Sequence, residues 1–185
     1  LLINSAFSGM SCVCGSTFGE IADNEKSRHV IQRIVKECID VAKAANIKIE
    51  PVQGKNIASL FDYSNPLKKV LAYLLIPFAI KSHRSLKASM LQDVEKGIPC
   101  EIDSINGIVC EFGKKYNCPT PFNDKVVEIV HQFESKELVP SMSNADKFDE
   151  LLNAHEDLPL TGRKLMFYFI AFFGLFVILM IARRF

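Results

Sequence analysis

The chain has 185 residues, with 22 basic and 21 acidic side chains and a formal net charge of +1 at pH 7. This balance excludes a general nucleic-acid binder, which would concentrate basic residues in a stripe or patch. Hydrophobic residues make up 49% of the chain, with many of them near the C-terminus, so we expect one domain of ordinary size followed by an apolar tail.

The cysteines and histidines of the chain predict neither a disulfide framework nor a metal site. Cys12 and Cys14 are separated by a single residue, whereas zinc-binding motifs commonly place about two to four residues between cysteines. The histidines are scattered and show no paired-ligand spacing. We therefore expect reduced and mostly buried thiols, as in a cytosolic domain, and no bound metal.

The first segment of the chain, residues 1–21, is rich in small residues. Its opening, LLINSAF, runs from apolar to polar with no helix cap or linker before it, so we expect that the sequence starts inside a structural element of a longer protein. Small polar side chains such as Ser8 let the backbone approach a ligand or a neighbouring helix. Gly15 and Gly19 predict a break before the next helix.

A long amphipathic helix follows, capped by Asp23 or Asn24 and ending near Asn46, a residue type that tolerates a left-handed cap. Its apolar residues recur at intervals of three and four, which is the period of a helix with one buried face. The apolar face comprises Val30, Ile31, Ile34, Val35, Cys38, Val41, Ala42 and Ala45. The opposite face is predicted to carry Lys26, Arg33, Lys36, Glu37, Asp40 and Lys43.

Further helices are predicted up to residue 138. One starts at Pro66, and its apolar run 70–80 is too short for a membrane span and is interrupted by Pro77. A core stripe at helical spacing occupies 102–112, and a last core helix begins with Thr120 as N-cap and Pro121 in the first turn. No segment alternates as a strand does, so residues 1–138 are predicted to be all-α.

The C-terminal part of the chain predicts a membrane anchor. Residues 139–164 are polar at first and flanked by proline, which indicates a linker with a short helix at 144–155. Residues 165–182 carry no charge, and at about 1.5 Å per residue they would reach about 27 Å, close to a hydrocarbon core of about 30 Å. We therefore expect one transmembrane helix, used as a tail anchor with the helical domain in the cytosol. The alternative is a buried C-terminal helix.

The densest group of polar side chains lies in residues 89–109, SMLQDVEKGIPCEIDSINGIV. A Ser-Met-Leu-Gln-Asp helix passes through a turn at Gly97 into Glu-Ile-Asp-Ser-Ile-Asn-Gly. The block resembles the substrate-domain signature of the ketopantoate reductases (2-dehydropantoate 2-reductases). The resemblance implies an all-α domain like the C-terminal domain of that family and of 6-phosphogluconate dehydrogenase.

The resemblance also implies roles for two residues of this block. Ser89 corresponds to a serine that contacts the substrate, and Glu101 corresponds to a glutamate near the substrate and the cofactor ribose, with a catalytic and a cofactor-binding role. Judged from the residues alone, Ser89 is equally a helix cap and Glu101 a carboxylate at a helix start. Asp93 and Asp103 are expected to hold turns, and Asn106 with Gly107 to serve helix packing or a side-chain hydrogen bond.

The first helix resembles a second family motif, Lys-x-x-x-Asn-x-x-x-Asn, whose members share one helix face. Asn4 corresponds to its first asparagine, and Ser8 stands at the second, so both are predicted to bind substrate. The lysine, the family's general acid, would lie immediately before Leu1. Phe18 stands where family members commonly have asparagine, and it cannot donate a hydrogen bond, which leaves the substrate's identity open.

These residues predict the substrate side of an NADPH-dependent reductase that converts a 2-oxo acid, such as 2-dehydropantoate, into a 2-hydroxy acid. No Gly-x-Gly-x-x-Gly motif is present, so NADP(H) would be bound mainly by an N-terminal Rossmann domain missing from this sequence, and the fragment alone would be inactive. The expected partners are the 2-oxo acid, that domain and membrane lipid at 165–182, with a homodimer left open. The alternative function is a membrane-anchored, noncatalytic helical binding or scaffold module.

Overall fold

A computed structural model describes residues 1–51, 57–63 and 66–155, and the regular elements within these ranges are helical. The α-helices are α1 (Gly9–Cys14), α2 (Phe18–Asp23), α3 (Glu25–Ala44), α4 (Ile57–Phe61), α5 (Pro66–Ala79), α6 (Ser89–Lys96), α7 (Ile108–Lys115), α8 (Pro121–Glu134) and α9 (Asp149–Ala154). Short 3₁₀ segments cover Lys81–His83 and Met142–Phe148. The prediction of an all-α domain agrees with this architecture.

Two of the helices contain a π-helical turn, in which hydrogen bonds skip one residue more than in an α-helix. The first π turn, Asn4–Ser8, leads directly into α1, and the second π turn, Asp103–Gly107, leads directly into α7. The two turns pack against each other, and α8 packs against the second one. Both π turns thus lie inside the domain's helical packing, next to the residues singled out in the sequence.

The longest described helix, α3, lies at the centre of the packing and contacts the first π turn, α5 and α8. It starts as predicted, because the Asn24 side chain accepts a hydrogen bond from the Ser27 amide at 3.0 Å. It also ends as predicted, because Asn46 adopts a left-handed conformation with φ of 55° just beyond the last turn. One face of α3 is buried, which ties its amphipathic pattern to the domain core.

The predicted transmembrane helix is the part of the fold class that is wrong. Among the helices of 1–51, 57–63 and 66–155, none is long and apolar enough to cross a membrane. The longest of them, α3, is amphipathic, with charged side chains along one face. An uncharged run gives the same hydropathy signal for a buried helix and for a membrane span, so the pattern alone does not separate the two. Residues 165–182, on which the prediction rested, lie outside the described residues.

The predicted localisation is corrected for the same reason. A single-pass tail anchor requires a spanning helix, and the described part of the chain has none. Residues 142–154, which the sequence places in a linker with a short helix at 144–155, form a 3₁₀ segment and α9. Phe148 and Leu152 of this segment are buried in the core, and the Asn144 side chain donates to the Val13 carbonyl at 3.0 Å. This segment is therefore packed onto the helical domain.

Candidate functional site

Ser89 and Glu101 are brought together at an exposed edge of the domain. Helix α6 runs from Ser89 to Lys96, and Gly97 just beyond it has a left-handed conformation, with φ of 71°, that turns the chain back. The return places Glu101 opposite the start of α6, where the Ser89 hydroxyl donates a hydrogen bond to Glu101 Oε1 at 3.1 Å. Both residues are exposed. The pair presents a hydroxyl and a carboxylate to solvent, a combination that can bind the hydroxyl groups of a ligand.

The start of α6 is fixed to helix α1 by a buried hydrogen bond. The Ser11 hydroxyl lies 3.3 Å from the Ala88 amide nitrogen and accepts its hydrogen bond, while it donates to the Ser16 carbonyl at 2.6 Å. Ala88 is the N-cap residue of α6 and makes no side-chain cap, so Ser89 is not the cap of this helix. The Ser89 hydroxyl is instead directed to Glu101, on the side of α6 that faces solvent.

Asn4 and Ser8 lie at the two ends of the first π turn, which packs against α6. Asn4 is exposed, and Ser8 is only 8% exposed. Within the described residues, neither side chain is hydrogen-bonded to the Ser89–Glu101 pair. The structure therefore packs the π turn of Asn4 and Ser8 against the helix of Ser89, and it joins the Ser89 and Glu101 side chains directly.

Phe18 and Glu20 have structural roles at the start of α2. The Phe18 ring lies 5.6 Å from the Phe7 ring, and its amide donates to the Leu86 carbonyl at 2.9 Å. Thr17 and Glu20 form a capping box, in which the Glu20 carboxylate accepts from the Thr17 amide at 2.7 Å and the Glu20 amide donates to the Thr17 hydroxyl. The half-buried Phe18 gives the loop before Ser89 an apolar neighbour.

A buried carboxylate, missed in the sequence, organises the start of α8. Glu37 is 6% exposed, and its Oε1 accepts from the Phe122 amide at 2.9 Å. Its Oε2 accepts from the backbone and side-chain nitrogens of Asn123 at 3.0 and 2.7 Å. The assignment of Glu37 to the charged face of α3 is therefore wrong. Thr120 is the N-cap residue of α8, as predicted, but its hydroxyl donates to Asp124 at 3.1 Å and makes no cap hydrogen bond.

Glu37 is held in this position at an electrostatic cost. Burial raises the pKa of its carboxyl from the ordinary value of 4.5 to about 7, and the three donors from Phe122 and Asn123 oppose that shift because they favour the charged form. Glu37 therefore acts as a cap supplied by a distant helix: its acceptor oxygens satisfy amides at the start of α8 that have no partner within the helix.

Asn106, in the second π turn, links this cap to the first π turn. Its side-chain nitrogen lies 3.0 Å from Asn123 Oδ1 and 3.0 Å from the Ser5 carbonyl and donates to both. Asn106 is fully buried. The expectation that Asn106 serves packing or a side-chain hydrogen bond is confirmed. We call the series Glu37, Asn123 and Asn106 the buried relay.

An apolar groove of about 540 Å³ opens beside the first π turn. Of the four predicted site residues only Asn4 lines it, and the rest of its wall is apolar except for Lys48 and Glu50. Ser89 and Glu101 do not contribute to this groove. This apolar groove is therefore separate from the hydroxyl–carboxylate pair, and it does not by itself define the candidate site.

Most of the cysteines have the properties of buried structural thiols. All six are free, and burial raises the pKa of the Cys14 and Cys110 thiols to about 12. A thiol with so high a pKa is protonated at neutral pH and is a poor nucleophile. In the part of the chain that the structure describes, no three His, Cys, Asp or Glu residues are grouped so that they could hold a metal ion.

Comparison with protein families gives a match over residues 1–134 to the family described as ketopantoate reductase PanE/ApbA C terminal. Among curated proteins, the chain is 30% identical over 138 residues to the 2-dehydropantoate 2-reductase of Aquifex aeolicus, covering 75% of this chain and 39% of that protein. It is 28% identical over 134 residues to the enzyme of the same name from Lactococcus lactis, covering 71% and 38%. The chain thus spans about two fifths of the length of these relatives.

Among solved structures, the fold is similar to a PanE/ApbA family ketopantoate reductase from Ralstonia eutropha JMP134, with a TM-score of 0.57 and 23% identity. That match covers 73% of this chain and 39% of the other. The fold is also similar to D-mandelate dehydrogenase in a ternary structure with NADH and anilino(oxo)acetate, with a TM-score of 0.55, 24% identity and coverage of 73% and 49%. At these identities the two structures support the helical fold alone.

Proposed function

The chain belongs to the ketopantoate reductase family, and from this membership we propose that its helical domain forms the substrate wall of an NADPH-dependent reductase of 2-oxo acids. The relationship to oxidoreductases follows from the family. The observation that carries the proposal is the Ser89–Glu101 hydrogen bond of 3.1 Å, which unites the two polar residues of the family-like block at an exposed edge.

The chemistry of this edge suits one side of a 2-oxo acid site. The Ser89 hydroxyl can donate to a substrate carboxylate or accept from a substrate hydroxyl, and the Glu101 carboxylate can orient hydroxyl groups of substrate and cofactor ribose. Asn4, exposed on the neighbouring π turn, adds an amide that can both donate and accept. The proposed roles are therefore substrate binding for Asn4, Ser8 and Ser89, and catalysis with cofactor contact for Glu101.

The same residues fit a nicotinamide cofactor only in part. Glu101 offers an exposed carboxylate of the kind that binds a ribose hydroxyl, but the sequence has no Gly-x-Gly-x-x-Gly loop for the phosphates. When bound, the reduced cofactor would supply the hydride. We propose that a separate nucleotide-binding domain holds most of it, and that this chain contributes only the facing wall.

Steady-state assay of the full-length protein tests the proposal. With ketopantoate and NADPH we expect oxidation of NADPH that depends on the 2-oxo acid, and no oxidation by residues 1–185 alone, since hydride transfer requires a bound cofactor. Phenylglyoxylate belongs in the same assay, because the apolar ring of Phe18, beside the loop before Ser89, favours a more apolar 2-oxo acid. Absence of turnover with every 2-oxo acid, despite bound NADPH, would contradict the proposal.

A noncatalytic binding module is the second candidate. The observation that favours it is the position of Phe18, whose ring packs near Phe7 and cannot donate a hydrogen bond to a keto acid. In that case the domain would keep the family fold, with its buried relay, and would lack turnover. NADPH binding without turnover by the full-length protein would support this reading over the enzymatic one.

A further inference from the structure

One backbone carbonyl in the first π turn lacks the hydrogen bond that an α-helix would give it. The amide of Gly9 bonds to the carbonyls of Asn4 and Ala6, and it thus skips the carbonyl of Ser5 between them. Ser5 is fully buried. A buried carbonyl without a partner is costly, so a π register at this point requires a donor from elsewhere in the molecule.

Asn106 supplies that donor. Its side-chain nitrogen lies 3.0 Å from the Ser5 carbonyl oxygen, across the contact between the two π turns. Gly9 leaves room for this amide, because a Cβ at Gly9 would lie 3.0 Å from Asn106 Oδ1 and 3.0 Å from a methyl group of Val126. A side chain inserted into the hydrogen-bond ladder is a recognised cause of helix irregularity.

The orientation of Asn106 is in turn fixed by the rest of the relay. Asn123 Oδ1 accepts from the Asn106 nitrogen at 3.0 Å, and the Asn123 side-chain nitrogen donates to Glu37 Oε2 at 2.7 Å. Since Asn123 donates to a carboxylate acceptor, its oxygen must face Asn106, and Asn106 must then present its nitrogen. The Glu37 carboxylate thereby determines that Asn106 presents its side-chain nitrogen, and not its oxygen, to the Ser5 carbonyl.

We propose that the buried relay of Glu37, Asn123 and Asn106 holds the first π turn in its π register and so positions Asn4 relative to Ser8 and the Ser89–Glu101 pair. These three are positioning residues, since they are buried and act through the backbone of Ser5. Conversion of the turn to an α register would rotate Asn4 by about 100° around the helix axis, the angle of one residue. The inference on Asn4 rests on the proposed function, whereas the inference on the register does not.

The register test uses the 185-residue chain with Asn106→Leu, which keeps the approximate volume and removes the donor. Through-hydrogen-bond NMR couplings identify the acceptor of the Gly9 amide, which should change from Asn4 to Ser5. Asn144→Leu is the matched control, because Asn144 is also a buried asparagine that donates to two carbonyls, those of Val13 and Val139 at 3.0 and 2.9 Å. The control should keep the Gly9–Asn4 coupling.

Persistence of the Gly9–Asn4 coupling in Asn106→Leu would overturn the proposal. Loss of this coupling in Asn144→Leu would also overturn it, because it would show that any destabilisation of the domain changes the register. If Asn106→Leu does not fold, Gly9→Ala provides the same test, because its Cβ displaces the Asn106 amide. The amide of residue 9 in this variant should couple to the Ser5 carbonyl, and retention of the π register in Gly9→Ala would also overturn the proposal.

The consequence for substrate binding is tested separately, with the full-length protein and ketopantoate as the probe. Asn106→Leu should raise KM about tenfold or more and change kcat far less, since a misplaced binding group weakens ground-state and transition-state binding alike. Asn144→Leu should leave kcat/KM near the wild-type value. Equal effects in the two variants would overturn the positioning role. A wild-type protein without turnover would contradict the proposed function. The NMR couplings of the Gly9 amide would still test whether the buried relay holds the π register.

Discussion

Replacement of Glu101 by glutamine is expected to lower kcat/KM for the 2-oxo acid about a hundredfold in the full-length protein. Glutamine retains an oxygen that can accept from the Ser89 hydroxyl, now 3.1 Å from Glu101 Oε1, so the local structure should persist. It loses the negative charge and the second acceptor oxygen, which the proposed contacts to substrate and ribose hydroxyls require. A loss of this size is typical when a charged or proton-transferring group is removed from a reacting centre.

The matched control is Glu95→Gln on α6, close to the same edge. Glu95 is exposed and forms an ion pair with Lys87 at 2.6 Å, and no role in the site is proposed for it. Its replacement should change kcat/KM less than twofold, as is usual for a surface pair. Comparable activity of Glu101→Gln and Glu95→Gln would show that Glu101 only closes the turn after α6, and that its catalytic assignment is wrong.

Replacement of Glu37 by alanine is expected to lower the free energy of unfolding by about 3–5 kcal/mol. The change leaves the amides of Phe122 and Asn123 and the Asn123 side chain without their acceptor, and it opens a cavity between α3 and α8. Chemical denaturation of the 185-residue chain at pH 5 measures this difference. Glu128→Ala is the control, because Glu128 is an exposed glutamate of α8 paired with Lys125 and should cost less than about 1 kcal/mol.

The pH dependence of this difference identifies the carboxyl as its source. The pKa of Glu37 is about 7 in the folded state and 4.5 ordinarily, so the folded state binds the proton more tightly. The contribution of Glu37 to the free energy of unfolding is therefore fully present below pH 4.5, and it is lost as the pH rises through about 7. The gap between wild type and Glu37→Ala should therefore narrow between pH 5 and pH 8. A gap that is constant or widens would contradict the assignment.

Local signals in the sequence sufficed for several of the helical boundaries. Asn24, Asn46 and Pro66 each have a side chain or ring suited to one helix end, and each is found at that end. The capping box of Thr17 and Glu20 could have been found in the same way, because its Thr-x-x-Glu spacing is a local signature. Such features depend on neighbours within one turn, so one sequence is enough to find them.

The buried relay could not be predicted in this way, because its members are far apart in the chain. Glu37 carries a charge, and charged residues are seldom fully buried unless paired, so its residue type predicts a position on the solvent face. Its position was nevertheless informative, since Val30, Ile34, Glu37 and Val41 follow the helical spacing of the buried face. The partners at Asn106 and Asn123 become visible only once α8 and the second π turn pack together.

The family-like block gave a sound guide to the candidate pair but a weaker one to the substrate. The resemblance singled out Ser89 and Glu101 separately, and the structure joins the two side chains by a hydrogen bond. Ser8 is nearly buried, and Phe18 packs near Phe7, so the neighbouring surface is more apolar than two asparagines would make it. The membrane prediction failed for a different reason: hydropathy over 165–182 measures apolarity alone, and the described helices contain no span.

Titration of the isotope-labelled 185-residue chain with ketopantoate, followed by NMR, tests most directly whether this domain is a substrate wall. The domain should bind weakly, with shift changes concentrated at Ser89, Glu101 and the first π turn, and phenylglyoxylate should compete for the same residues. The absence of shifts at these positions at saturating concentrations of either 2-oxo acid, or shifts confined to the apolar groove beside Val41 and Phe112, would contradict the assignment of the Ser89–Glu101 edge as the substrate site.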